Sequence, residues 1–176
     1  MDSLFKRKTR QQLIDAANAY SHLLGKIYVL DSPLFVNRHR YLIRFYSSNF
    51  LHLSGVETNL TANVFFNKCL HDNIEYEDFW DSPRKNKSTI SKKLRNLVNV
   101  DSIFDNEVLV QENYVKNTIH CVIATTDGKC TMGFVDNKQY VVPNTILGNN
   151  HLDPNKSIYK LKAKVLYGLR QRKMDS

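Results

Sequence analysis

His52 is the side chain of this sequence best suited to moving a proton. It lies in Asn49-Phe50-Leu51-His52-Leu53-Ser54-Gly55-Val56, directly after the strand-like run Tyr41-Leu42-Ile43-Arg44-Phe45-Tyr46. An imidazole titrates near neutrality, so it can take or give a proton at physiological pH. A histidine between apolar residues can equally sit at a core junction with its ring nitrogens bonded to main chain. The hydroxyls of Ser54 and Thr145 can donate hydrogen bonds to an anion or cap the local backbone. The other histidines, His22, His39, His71, His120 and His151, do not repeat at metal-ligand spacing. His120 sits beside Cys121 in a strand-like run and reads as a structural histidine. There is no CxxC pair, no Walker loop and no GxGxxG, so no metal and no cofactor is expected.

The second chemical signal is charge. The net charge is +8, and the excess is concentrated. Arg84, Lys85, Lys87, Lys92, Lys93 and Arg95 fall in one stretch without an acid, and Lys156 to Lys173 is a second. Glu75, Glu77, Asp78 and Asp81 cluster before the first. Such local excess suits a polyanion, because each phosphate contact releases condensed counterions. A solvated basic face is the competing reading.

Elements must position these groups. A chain of 176 residues with 42% hydrophobic content is long enough for one ordinary domain. Its apolar runs are far shorter than the roughly 20 residues of a membrane span. The start, Met1-Asp2-Ser3-Leu4-Phe5-Lys6-Arg7-Lys8, lacks the apolar core of a secretory signal. Cys69, Cys121 and Cys130 are odd in number and widely spaced, as free thiols of a reducing cytoplasm would be. Thr9 with Gln12 has a capping-box pattern ahead of Leu13, Ala16, Ala17, Tyr20, Leu23 and Leu24 at helical spacing. Ile27–Leu30 and Arg40–Tyr46 read as strands. Asn59 or Thr61 can cap a second helix with Phe65, Phe66 and Cys69 buried. A third begins near Ser88 with Ile90, Leu94 and Leu97 on one face. From Val100 the period changes to two: strands are expected at Val108–Gln111, Thr118–Thr126, Lys129–Val135, Gln139–Val142 and Tyr159–Tyr167, with a hairpin at Asp127-Gly128. In the last, Lys160, Lys162 and Lys164 alternate onto one face. The expected fold is α+β: N-terminal helices packed on an antiparallel β-meander of about four to five strands, in one domain over residues 1–176.

Three segments resemble a known family. The stretch from Tyr46 to Val56 is similar to an "NFLHLTG" motif. Phe65-Phe66-Asn67-Lys68-Cys69-Leu70 with Ser88-Thr89-Ile90-Ser91-Lys92-Lys93-Leu94 is similar to a helix followed by a polar, lysine-bearing helix start. Gly133-Phe134 through Pro143-Asn144-Thr145-Ile146-Leu147 is similar to a strand pair closing on "PxSLL". Together, over roughly residues 25–167 and leaving basic tails at both ends, they resemble the fourth group of phage-associated nuclease-like domains in the barnase–EndoU–colicin E5/D–RelE superfamily. Ser54 and Thr145 stand where threonine and serine are expected, and both keep a hydroxyl.

The resemblance implies metal-independent RNA cleavage, in which the ribose 2′-hydroxyl attacks the neighbouring phosphate to give a cyclic phosphate and a 5′-hydroxyl. That reaction needs a base, an acid and positive charge on the phosphate. His52 would supply base or acid, Lys92 the charge, and Thr145 or Ser54 a hydrogen bond. Arg84, Lys85, Lys87, Lys93, Arg95, Lys160 and Lys162 would track the RNA backbone. The implied setting is phage or prophage, acting in the cytoplasm of a bacterial host. The partner is RNA or a ribonucleoprotein, with a host-defence protein or an antitoxin as the protein partner. Active-site residues vary greatly across the superfamily, so the resemblance is also compatible with a member that does not cleave. The alternative is therefore a non-catalytic, phage-encoded inhibitor that grips a host defence ribonucleoprotein. An accessible His52 beside Lys92 and a hydroxyl separates catalysis from this alternative.

Overall fold

The structure, a computed structural model, describes residues 3–167. The basic residues Arg170, Arg172 and Lys173 lie outside the described residues. Helix α1 spans Ser3–Ser21 and buries Leu13, Ala16, Ala17 and Tyr20, the face the helical spacing predicts. It starts before the Thr9–Gln12 pattern, so no capping box forms there. Thr9 is buried within the helix, and its hydroxyl and the Gln12 side-chain oxygen find no hydrogen-bond partner among the described residues. Tertiary contacts account for the earlier start. Lys6 Nζ donates to the Tyr76 carbonyl and to the Phe79 carbonyl (2.9 Å for the latter), and Arg10 Nε donates to the Ile74 carbonyl at 2.8 Å. These bonds hold the first two turns against the loop that follows α3.

Strands β1 (Lys26–Asp31) and β2 (Arg40–Arg44) pair antiparallel. A short 3-10 turn at Ser47–Asn49 leads into helix α2, Phe50–Ser54. Helix α3 spans Ala62–Leu70, with the Thr61 side chain accepting from Val64 N. Helix α4 spans Lys87–Leu97, capped by Asn86 accepting from Thr89 N, and buries Ile90, Leu94 and Leu97. The meander follows: β3 (Val108–Lys116), β4 (Ile119–Thr126), β5 (Cys130–Asn137) and β6 (Tyr140–Gly148). The chain closes with β7 (Tyr159–Leu161) and β8 (Lys164–Tyr167).

The α+β class is as expected, but the sheet is not. It has eight strands in the order β7-β3-β4-β5-β6-β2-β1-β8 and is mixed rather than antiparallel. Two features escape a reading of periodicity. First, β2 joins the meander through a parallel contact, Ile43↔Val141, and alternation along a strand does not reveal a neighbour so distant in sequence. Second, Tyr159–Tyr167 is not one strand. It breaks at Lys162-Ala163, so that β7 pairs with β3 and β8 pairs with β1. One continuous segment thus meets both sides of the sheet and curls it.

The core lies between this curled sheet and the helices. Tyr20 of α1 packs on Phe45, Phe50 and Phe66, and its hydroxyl donates to the Tyr46 carbonyl at 2.7 Å. Burial of that phenol pushes its pKa up. Phe50 and Leu53 are fully buried, so the short helix α2 is anchored by aromatic packing rather than by its own length.

Candidate active site

With Phe50, Leu53 and Ser54 turned inward, α2 presents His52 outward. The ring meets a cleft of about 530 Å3 where α2, α4, β4 and β6 converge, lined by His52, Lys93, His120, Asn144 and Thr145 above Ile119 and Val135. The cleft exists because β4 and β5 pair only from Ile123↔Phe134 onward. Before that point the two strands part, and the β3–β4 turn forms one wall.

Two backbone irregularities aim the side chains. Helix α2 ends at Gly55, with φ +78, a left-handed conformation that side chains with a Cβ seldom adopt. The Lys93 stem lies across this glycine, and a Cβ there would sit 2.9 Å from Lys93 Cδ. Gly55 is therefore required both for the turn and for the path of Lys93 into the cleft. The second irregularity is in β6. The register passes from Gly133↔Thr145 to Phe134↔Pro143, leaving Asn144 as an extra residue. Such a bulge re-aims side chains, and here it brings both Asn144 and Thr145 to the cleft. Gly133 keeps the neighbouring strand close: a Cβ there would lie 2.5 Å from Cys121 Sγ and 2.9 Å from Thr145 Cγ2.

The electrostatics favour a neutral base. Partial burial, then the Lys93 ammonium, hold the His52 pKa below its ordinary 6.5, while a hydrogen bond to the Asn144 main chain opposes them and Lys85 adds to the depression. Lys93 is itself lowered, mainly by burial and then by Lys85. Burial raises the Cys121 thiol, against a hydrogen bond from the Asn144 side chain, so this cysteine stays protonated rather than nucleophilic.

The remaining sequence candidates are distributed differently. Ser54 is fully buried. Its hydroxyl donates to the Leu51 carbonyl at 2.7 Å and accepts from Val56 N at 3.4 Å, which stabilises the end of α2 away from the cleft. Lys92 lines a second, basic cleft with Arg95, Lys129 and His151, since successive helical residues point about 100° apart. Lys85 is ion-paired to Glu57 at 3.4 Å. Arg84 is exposed in the loop before α4, and Lys87 lies over the Phe5 ring. Lys160 pairs with Glu107 at 3.4 Å and sits opposite Leu109, at the far end of β3 from the cleft. Lys162 is exposed in the break between β7 and β8. His120, expected to be structural, is exposed at the cleft mouth. The outward alternation of His120 against buried Cys121 was its signal in the sequence. Asn144 had none, because a bulge is not visible as periodicity.

No curated protein and no solved structure matches the chain. A family model described as phage-Barnase-EndoU-ColicinE5/D-RelE like nuclease4 matches residues 12–173, a span that begins within α1 and includes every residue of the cleft. On that match, the chain belongs to the phage-Barnase-EndoU-ColicinE5/D-RelE like nuclease4 family.

Proposed function

We propose that this nuclease-like domain cleaves RNA without a metal ion, by attack of the ribose 2′-hydroxyl on the adjacent phosphate. The observation that carries the reading is the meeting of two histidines, a lysine and a hydroxyl in one open cleft: His52, His120, Lys93 and Thr145. Neutral His52 takes the proton from the 2′-hydroxyl as O2′ bonds to phosphorus. The P–O5′ bond breaks, and His120 gives a proton to O5′. The products are a 2′,3′-cyclic phosphate and a 5′-hydroxyl. Lys93, with Thr145 and Asn144, stabilises the charge that builds on the phosphoryl oxygens. In this assignment Lys93 takes the role first considered for Lys92, and Ser54 has none in the chemistry.

The accessibility of His52 beside Lys93 and Thr145 supports catalysis over a purely binding role, which would need only the basic surface. The test is incubation of end-labelled RNA with the protein in EDTA, beside His52→Ala. Cleavage ending in cyclic phosphate and lost in the variant supports the reading. Intact RNA across pH 5–9 refutes it and favours the non-catalytic inhibitor of a host ribonucleoprotein.

A further inference from the structure

The second cleft, of about 540 Å3, lies on the other side of α4. Lys92, Arg95 and Asn96 enter it from the helix, and Lys129 and His151 from the far ends of the sheet strands. Lys92, Arg95 and Lys129 are exposed, and none is ion-paired to a carboxylate of the described residues. Asp127, the carboxylate that shares an adjoining recess with Arg95 and Lys129, is engaged in its own turn. Its Oδ1 accepts from Lys129 N at 2.8 Å and Cys130 N at 3.0 Å. Behind the cleft, Lys116 Nζ contacts His151 Nδ1. Lys92, Arg95 and Lys129, with the Asn96 amide and the His151 imidazole, thus line one concavity. Clustered charge of one sign in a low-dielectric cleft focuses field and concentrates a counter-charged ligand.

The two clefts share α4 as a common rib, with Lys93 on one side and Lys92 on the other. We infer that the second cleft binds a phosphate of the same single RNA strand that flanks the scissile one, held by Lys92, Arg95 and Lys129. This subsite rests on the reading of the first cleft as the place where RNA is cut. It makes the protein a reader of strands longer than the scissile step, and it makes affinity rather than chemistry depend on this face.

The test is binding of a labelled 2′-O-methyl oligoribonucleotide of eight nucleotides, which cannot be cleaved, followed by fluorescence anisotropy over a range of salt. The proteins are wild type, Arg95→Gln/Lys129→Gln, and the charge-matched Lys8→Gln/Lys26→Gln. Loss of one phosphate contact lowers the slope of log K against log salt by about 0.7 for a single strand. The expected result is that drop, with a severalfold weaker Kd, in the Arg95/Lys129 variant only. Equal slopes in the two variants overturn the subsite, and so does an absence of oligonucleotide binding by the wild type. Because the probe cannot be cut, a protein that binds it with the expected pattern yet cleaves no RNA would sink the ribonuclease reading, and would leave Lys92, Arg95 and Lys129 as a phosphate-binding face rather than a subsite beside a scissile phosphate.

Discussion

Replacing Gly55 by alanine perturbs the cleft through one methyl group. The residue has φ +78, and the new Cβ would stand 2.9 Å from Lys93 Cδ. The left-handed conformation costs an L-residue about 1–2 kcal/mol. For a chain of this size that lowers Tm by about 2–8 °C. The clash itself adds little to stability, because the atom met is part of a flexible side chain that can swing aside. The movement falls on Lys93, and therefore on the charge in the cleft. Gly25 supplies the control. Its φ is +73, and a Cβ there meets nothing within 4 Å, so Gly25→Ala carries the same backbone cost without touching Lys93. The two variants should melt within a degree or two of each other. Only Gly55→Ala should lose RNA cleavage and show, by NMR titration, a His52 pKa that rises toward its ordinary value as the Lys93 ammonium retreats. Identical His52 titration in the two variants would refute the claim that Gly55 positions Lys93.

Three further outcomes follow from the same geometry. Gly133→Ala should destabilise by about 1–3 kcal/mol in thermal melts through overpacking. Adding Cys121→Ala should recover part of that loss, since Cys121 Sγ is the nearest atom at 2.5 Å; no recovery would mean the strain lies elsewhere. The folded-state pKa of His52 is lowered below 6.5, so below that value the unfolded chain binds the proton first. Stability is then lost as pH falls from about 6.5 through the folded value, and Tm of the wild type should fall more steeply than that of His52→Asn over that window. The three cysteines are free and buried, with Cys69 and Cys130 pushed up to about 12 mainly by burial. A thiol reagent at pH 8 should label them slowly in the native protein and all three on unfolding; fast native labelling would contradict that burial.

The elements of this fold were legible in the sequence where they depend on local pattern. Leu13, Ala16, Ala17 and Tyr20 mark α1, and Ile90, Leu94 and Leu97 mark α4, because 3.6-residue periodicity is a property of one segment. Asp127-Gly128 marked the β4–β5 turn for the same reason. What escaped depends on partners. Nothing near Ile43 announces Val141 beside it, and nothing in Tyr159–Tyr167 announces that its halves serve opposite edges of the sheet. The site divides in the same way. His52 and Thr145 were legible as chemistry-bearing residues, and both line the cleft. The choice between Lys92 and Lys93 turns on a rotation of about 100° about α4, which is set by how Ile90, Leu94 and Leu97 dock. His120 and Asn144 reach the cleft through strand divergence and a bulge, features of the assembled sheet. No helix of the described residues is long and apolar enough to cross a membrane, in keeping with the short apolar runs.

The central claim is a division of labour between His52 as base and His120 as acid. An RNA dinucleotide whose leaving O5′ is replaced by sulfur tests it most directly, because a thiolate leaves without protonation. In EDTA, His120→Ala should cleave the oxygen substrate poorly and the sulfur substrate nearly as fast as wild type. His52→Ala should remain slow on both. Loss of both substrates in His120→Ala, or rescue of His52→Ala by sulfur, would contradict the assignment.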